Sequence, residues 1–204
     1  MCEIKNKIIA KSTEMFLKLG FKSVTMDDIA TEMSMSKKTI YKYFSNKEVL
    51  IEEGTQVVKK KIRDLMSAVT QQNFNAIEEN YEMRKKFKEI FQAVDHSPAF
   101  QLKKHYPEIY KKMMDDEIKT YRTAFSQNVL KGIKEGFYRT NIDIETVVEF
   151  YYVILFHINE NTFLEREATV LELKALEYHT RAIATEKGIQ ELEKQINNNI
   201  KNEK

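Results

Sequence analysis

Residues 25–44 read TMDDIATEMSMSKKTIYKYF, and this stretch contains the start signals of two short helices. Thr25 belongs to the residue types that cap helix N-termini, and the two aspartates that follow fall in a first turn that favours acids. Ser36 can cap a second short helix, which runs to Phe44 after an interruption at Ser34. Two short capped helices joined by a tight turn predict a helix-turn-helix over residues 25–44.

The second short helix has one apolar and one polar side. On a helical wheel Ile40 and Phe44 share a side, which predicts that they dock the helix onto its neighbours. Such a helix fits the major groove of DNA and reads base edges with its N-terminal residues, while the helix N-terminus and the cap hydroxyl bind phosphate. The residues that we expect to meet DNA are Ser36, Lys37, Lys38, Thr39, Tyr41 and Lys42.

Periodic apolar residues predict longer helices on both sides of this motif. The preceding helix spans about Glu3 to Leu19, with Leu19 on its buried stripe. The following helix reaches about Thr70 and begins with a capping box formed by Ser45 and Glu48. Further helices are predicted at about 75–96, 107–136, 143–164 and 168–184, with a short helix or irregular segment between Pro98 and Pro107, another helix beyond Thr185, and fraying around Asn197–Asn199.

The composition favours helices and a soluble protein. The 204 residues include five glycines and two prolines, whereas a β-rich chain needs such residues between its strands. Cys2 is the single cysteine, which excludes an intramolecular disulfide and a cysteine zinc site. No apolar run approaches the roughly 20 residues that span a bilayer, and the N-terminus lacks the apolar core of a signal peptide. We therefore expect a cytoplasmic, all-α protein.

Positive charge is concentrated at the N-terminal end of a nearly neutral chain. The net charge is +2, yet residues 1–62 contain twelve lysines and eight acidic residues. Four of these lysines lie between Met33 and Lys47, a stretch without any acid. This distribution indicates a polyanion partner, although a merely solvated surface explains the charge equally well.

The motif resembles the DNA-binding head of the tetracycline-repressor (TetR) family. The resemblance rests on Thr25-Met-Asp-Asp-Ile-Ala, on Met35-Ser-Lys-Lys-Thr-Ile-Tyr-Lys-Tyr-Phe and on Asn46-Lys-Glu-Val-Leu, and it covers roughly residues 3–60. It implies a three-helix head joined by a long fourth helix to a helical bundle. It also implies a DNA-binding domain over residues 2–62 and an effector-binding and dimerisation domain over residues 63–204.

The resemblance implies DNA contacts for individual residues of the head. Phosphate and backbone contacts are expected for Thr25, Tyr43 and Lys47, and groove contacts for Lys37, Lys38, Thr39 and Tyr41. Simpler alternatives stay open for three residues: Tyr43 packs in the core, Lys42 is only solvated, and Thr25 acts only as an N-cap. Ser34 stands where the family usually has glycine, so a left-handed turn there would cost on the order of 1 kcal/mol.

The run Val147–Ile158 is apolar nearly all round its predicted helix, which indicates burial on several sides. The resemblance implies that helices 143–164 and 168–184 of two subunits form a four-helix interface in a homodimer. Two recognition helices then reach successive major grooves of a near-palindromic, double-stranded operator. The expected interface residues are Val147, Phe150, Ile154, Ile158, Leu171 and Leu176.

The resemblance further implies a partly apolar small-molecule effector inside the C-terminal bundle. The expected lining residues are Phe87, Phe91, Met113, Met114, Tyr121, Phe125 and Tyr151. Ordinary core packing is the alternative role for each of them. The implied function is transcriptional regulation, most simply as a repressor that the effector releases from DNA, and activation stays open.

Catalytic and metal-binding signatures are missing from the sequence. The histidines are scattered, and there is no Glu-x-x-His pair, no Gly-rich phosphate loop and no nucleophile elbow. We therefore expect no enzyme activity, no catalytic residues, no metal site and no cofactor. Two other hypotheses stay open, a helical interaction protein whose DNA head is vestigial and, with weaker support, an all-helical metalloenzyme.

Overall fold

The computed structural model describes residues 2–91 and 94–202, and this part of the chain folds into ten α-helices without a β-strand. The predicted all-α class is confirmed. In chain order the helices are α1 (Cys2–Leu19), α2 (Met26–Glu32), α3 (Lys37–Tyr43), α4 (Lys47–Thr70), α5 (Ala76–Phe91), α6 (Pro98–His105), α7 (Pro107–Lys134), α8 (Ile144–Asn161), α9 (Glu165–Ile183) and α10 (Glu186–Asn202).

Helices α1, α2 and α3 pack with the first turns of α4 around one apolar core, which we call the head core. Each helix contributes the apolar positions that recur at three- and four-residue spacing, as expected for amphipathic helices. Its fully buried side chains include Ile8, Phe16, Ile29, Ile40, Phe44, Leu50 and Ile51.

The end of α1 differs from the prediction in one residue. Leu19 does not belong to the buried stripe, because it is the last helical residue and is 56% exposed. Gly20 follows with a φ of 96°, a left-handed conformation that glycine adopts without strain. Phe21 then folds back onto Phe16, with the two ring centroids 5.7 Å apart. Phe21 therefore takes the buried position that was predicted for Leu19.

The N-cap of α4 lies one residue later than predicted. Asn46, not Ser45, has the extended backbone of a cap, and its side-chain oxygen accepts a hydrogen bond from the backbone N–H of Val49 at 2.9 Å. Asparagine caps helices at least as well as serine, so the sequence contained two equivalent candidates side by side. The predicted capping box between Ser45 and Glu48 is therefore wrong, although the predicted end of α4 at Thr70 is confirmed.

A second apolar core, the bundle core, lies among α5, α7, α8, α9 and α10. Its fully buried members include Ile77, Tyr138, Leu176, Ile183 and Leu192. Helix α10 is regular through Asn197–Asn199, so the predicted fraying of this segment is wrong. The helix persists because Ile189, Leu192 and Ile196 form an apolar stripe that packs onto the bundle core.

The head core and the bundle are joined by α6 and α7 as well as by α4. Leu102 of α6 and Tyr110 of α7 belong to the head core. Both backbone hydrogen-bonding groups of Phe21 are bound from this side, since its N–H donates to the Gln101 side chain at 3.0 Å and its carbonyl accepts from the Tyr106 hydroxyl at 3.3 Å. Packing therefore continues across the boundary that the sequence predicts after residue 62.

Replacing Gly132 with alanine tests the packing of the bundle core. A Cβ at this position of α7 would overlap the ring of Tyr138, which is fully buried. We expect Gly132→Ala to lower the free energy of unfolding by about 1–3 kcal/mol, because overpacking outweighs the better helix propensity of alanine. Urea denaturation measures the change.

The matched control is Gly136→Ala, two residues after α7. A Cβ there meets no neighbouring atom, and only the left-handed φ of 78° opposes alanine. The expected cost is about 1 kcal/mol. A Gly132→Ala protein as stable as the unmodified chain would contradict the close packing of Tyr138.

Candidate nucleic-acid interface and ligand cavity

The predicted helix-turn-helix is present, and Thr25 caps its first helix. The Thr25 hydroxyl accepts a hydrogen bond from the Asp28 N–H at 3.2 Å, and the Asp28 carboxylate accepts bonds from the Thr25 hydroxyl and N–H at 2.7 and 2.8 Å. These bonds from Thr25 lower the pKa of Asp28. The hydroxyl of Thr25 is thus already used within the chain, so a phosphate contact there would compete with the cap.

The turn between α2 and α3 uses Ser34 in a left-handed conformation, with a φ of 51°. This is the conformation expected at a position where the resembled family has glycine. The N–H of Met35 donates to the carbonyl of Ala30 at 2.9 Å, and the N–H of Ser34 donates to Thr31 at 3.0 Å. These two bonds close the turn and offset the cost of the left-handed serine, which is about 1 kcal/mol.

Helix α3 is held by its apolar side and exposes its lysines. Ile40 and Phe44 are fully buried in the head core, whereas Lys38 and Lys42 are exposed and Tyr41 is 43% exposed. Within the part of the chain that the structure describes, neither lysine forms an ion pair. The face of α3 that carries Lys38, Tyr41 and Lys42 is therefore open to a partner.

Four predicted contact residues of α3 and its N-cap have roles within the head. Ser36 is the N-cap and accepts from the Thr39 N–H at 3.1 Å, while the hydroxyls of Ser36 and Thr39 lie 2.8 Å apart. Lys37 forms an ion pair with Asp27 of α2 at 2.8 Å, which raises the pKa of Lys37. Tyr43 is half-buried and packs against the head core, which favours a core role for this residue.

Lys47 lies at the start of α4 and is directed towards the chain itself. Its ammonium donates to the backbone carbonyl of Lys22 at 3.3 Å. The ring centroids of Phe16 and Tyr106 lie 5.8 and 5.7 Å from the same nitrogen. A contact between Lys47 and the DNA backbone would require this side chain to swing outward.

A cavity of about 590 Å³ lies between the head core and the bundle. Its wall contains all seven residues that the sequence proposed, Phe87, Phe91, Met113, Met114, Tyr121, Phe125 and Tyr151. It also reaches Phe16 and Phe21 of the head core and Gly54 of α4. Burial raises the pKa of Tyr121 to about 12 and raises that of Tyr151, so both hydroxyls stay neutral at neutral pH.

The sequence did not indicate the charged residues of the cavity wall. Buried and half-buried ion pairs join helices distant in the chain, namely Lys59 with Glu117 at 3.2 Å, Arg84 with Glu172 at 2.9 Å, and Lys131 with Glu79 at 2.6 Å. Arg63 also binds Glu117. Five of these seven residues line the cavity, namely Lys59, Glu79, Arg84, Glu117 and Glu172. No local motif marks them, because each pairing depends on how two helices pack.

Helices α8 and α9 present apolar side chains outside the bundle core. Phe150 is 65% exposed and Tyr178 is 68% exposed, and Val153, Val170 and Leu171 are exposed as well. Of the predicted interface residues, Val147, Ile154 and Ile158 are half-buried against the bundle core. Leu176 is fully buried within its own chain, so its assignment to the interface is corrected.

Metal sites and membrane spans have no support in residues 2–91 and 94–202. This part of the chain contains no group of three or more histidine, cysteine, aspartate or glutamate side chains that could hold a metal ion. It also contains no helix that is both long enough and apolar enough to cross a membrane.

Comparisons with known proteins agree with the geometry of the head. Residues 8–53 match the family described as bacterial regulatory proteins, tetR family. The chain is 28% identical over 167 residues to YdeS of Bacillus subtilis strain 168, an HTH-type transcriptional regulator, and the match covers 74% of this chain and 75% of YdeS.

Solved structures share the fold over nearly the whole chain. A transcriptional regulator from Cytophaga hutchinsonii has a TM-score of 0.70 at 20% identity, covering 88% of this chain and 98% of its own. A regulator from Saccharomonospora viridis, solved in complex with choline, has a TM-score of 0.68 at 14% identity, covering 91% of this chain and 100% of its own. The all-helical layout is therefore shared from the head to the bundle.

Replacing Glu117 with glutamine tests the buried charges between α4 and α7. The change leaves the Lys59 ammonium in the cavity wall without its carboxylate, and Lys59 is 5% exposed. We expect Glu117→Gln to lower the free energy of unfolding by about 3 kcal/mol. Asp115→Asn, an exposed change on the same helix, should cost little. Equal unfolding midpoints for the two variants in urea would contradict this role of Glu117.

Proposed function

Since this chain belongs to the tetR family of bacterial regulatory proteins and is a DNA-binding transcriptional regulator, we propose that it acts as a homodimeric repressor. Each subunit binds one half of a near-palindromic operator through residues 2–62. A small molecule that enters the cavity of the second domain, residues 63–204, releases the repressor from DNA. The protein acts in the cytoplasm, where the bacterial genome is accessible, and needs no cofactor for this role.

The outward face of α3 is the observation that carries this proposal. Two buried side chains, Ile40 and Phe44, fix the helix on the head core, so Lys38, Tyr41 and Lys42 project from a rigid support. Lysine supplies charge for phosphates and donors for base edges, and tyrosine adds an aromatic surface. Lys37 is held by Asp27, which fixes the side of α3 that faces α2.

The apolar surface of α8 and α9 supports the proposed dimer. Phe150, Val153, Val170, Leu171 and Tyr178 are exposed on two neighbouring helices, and single soluble chains rarely leave such side chains clustered in water. A two-fold interface pairs the same surface of both subunits. Two copies of α3 can then engage two major grooves that lie one helical turn apart, or a whole multiple of it.

The position of the cavity supports release by a small molecule. Its wall includes Thr55 and Lys59 of α4, the helix that also supplies Leu50 and Ile51 to the head core. A ligand that displaces this wall would move α4 and with it the head. The Saccharomonospora viridis regulator holds choline, so a protein of this fold accommodates a small molecule. In this proposal the seven aromatic and methionine side chains contact the apolar part of the effector.

Replacing Lys38 with alanine tests the proposed DNA contact. We expect Lys38→Ala to weaken binding to the DNA upstream of the chain's own gene by about tenfold, the effect of losing one good base or phosphate contact. Fluorescence anisotropy at several salt concentrations measures the affinity, which should fall steeply as salt rises. A Lys111→Ala protein, changed at an exposed lysine of α7, should bind normally.

Two outcomes would contradict the proposed operator contact. One is equal affinity of the Lys38→Ala and Lys111→Ala proteins, as a vestigial head predicts. The other is that the unmodified protein binds unrelated DNA as tightly as the DNA upstream of its own gene. Removing the gene from its host separates repression from activation, because only a repressor leaves its target genes more active when it is lost.

Replacing Phe150 with aspartate tests the proposed dimer surface. A charge at this exposed aromatic of α8 should keep the protein folded but monomeric at micromolar concentration, because a buried interface would have to take up an unpaired carboxylate. Analytical ultracentrifugation distinguishes the two states. The control is Leu19→Asp, at an equally accessible apolar residue on the head, which should remain dimeric. An unmodified protein that sediments as a monomer would refute the interface.

A further inference from the structure

One carboxylate of the cavity wall differs from the other three in its interaction partners. Four glutamates line the cavity, and Glu79, Glu117 and Glu172 each form an ion pair of 3.2 Å or less with a lysine or arginine. Glu165 forms no ion pair within residues 2–91 and 94–202, and its Oε2 is buried without a hydrogen-bond partner. A buried carboxylate oxygen without a partner is costly, so this group needs a proton or a cation.

The surroundings of Glu165 increase the cost of a negative charge on its carboxylate. Glu165 begins α9, and Thr169 and Glu172 follow it at helical spacing along the same cavity-lining face. Burial raises the pKa of Glu165 to about 7, and the negative charge of Glu172 raises it as well. Arg84 does not relieve Glu165, because its guanidinium is bound to Glu172 at 2.9 Å.

The rest of the wall suits the apolar part of a cation. Aromatic rings attract cations through their faces, and Phe87, Phe91, Tyr151 and Phe156 belong to the same wall. The other basic residues of the wall already interact within the chain. Lys59 pairs with Glu117, Lys85 pairs with Glu82 at 3.7 Å, and Lys88 also has an interaction partner. The unmatched charge at the cavity wall is therefore negative.

We propose that the cavity selects an organic cation, whose ammonium group pairs with the carboxylate of Glu165 while its apolar body contacts the aromatic wall. This inference rests on the proposed effector role of the cavity and specifies the chemical class of the effector. Beside a neutral molecule the buried carboxylate has to take up a proton instead, and an anion adds a like charge beside it. A cation of moderate size supplies the missing charge and fills a space of about 590 Å³ with apolar contacts.

Three probes with one carbon skeleton test the selectivity. They are 4-phenylbutylammonium, 4-phenylbutan-1-ol and 4-phenylbutyrate, titrated into the full-length protein by isothermal calorimetry at about pH 8, where a carboxyl with a pKa of about 7 is ionised. We expect the ammonium to bind at least about tenfold more tightly than the alcohol, and the carboxylate to bind most weakly.

Two variants locate the selectivity. Glu165→Gln keeps the size of the side chain and should abolish the preference for the ammonium over the alcohol. Glu167→Gln changes an exposed glutamate in the same turn of α9 and should keep that preference. Thermal unfolding followed by circular dichroism verifies that both variants fold. The proposal is overturned if the ammonium has no advantage, if the advantage survives in Glu165→Gln, or if none of the three probes binds.

Binding to the operator, measured with and without the ammonium probe, separates this inference from the proposed function. If the protein binds the ammonium selectively and its affinity for the operator does not change, the cation site is supported and effector release is contradicted. If the protein binds its operator and is released by other molecules but does not bind the ammonium, the repressor is supported and the cation site is contradicted.

Discussion

The structure depends on helix α4, a single uninterrupted helix that contributes to the head core and packs against α5 and α7 of the bundle. Its 24 residues extend roughly 36 Å at 1.5 Å per residue, from the head to the bundle. Leu50 and Ile51 near its start are fully buried in the head core, and Val69 near its end is buried too. Because every interior turn is hydrogen-bonded, the helix cannot kink in its middle without losing backbone hydrogen bonds. The release that we propose therefore requires α4 to transmit a change at the cavity wall to the head as one rigid unit.

The recognition helix depends on this support rather than on its own sequence. Helices α2 and α3 have seven residues each, and isolated helices of that length are unstable in water. Their caps at Thr25 and Ser36 supply part of the missing stability. Burial of Ile40 and Phe44 in the head core supplies the rest, and it leaves the lysine side of α3 facing outward. Docking onto the head core and exposure to DNA are two consequences of one amphipathic pattern.

The sequence predicted the head well because local signals agree there. Caps, spacing and the left-handed Ser34 all act within a few residues. The N-cap of α4 was misplaced because Ser45 and Asn46 are both competent, and only the backbone decides between them. Leu176 was misplaced for a different reason, since an apolar residue on α9 looks the same whether it packs within one chain or between two. The buried pairs of Lys59 and Arg84 could not be foreseen, because their partners lie more than fifty residues away.

In the proposed dimer, paired recognition helices read one symmetric DNA sequence. The most direct measurement combines selection of tight-binding sites from random-sequence DNA with hydroxyl-radical footprinting of the selected duplex. We expect an inverted repeat, protected in two equivalent patches whose centres are separated by one helical turn, about 10 base pairs, or a whole multiple of it. Selection that enriches no sequence, or a single patch of protection without two-fold symmetry, would contradict it.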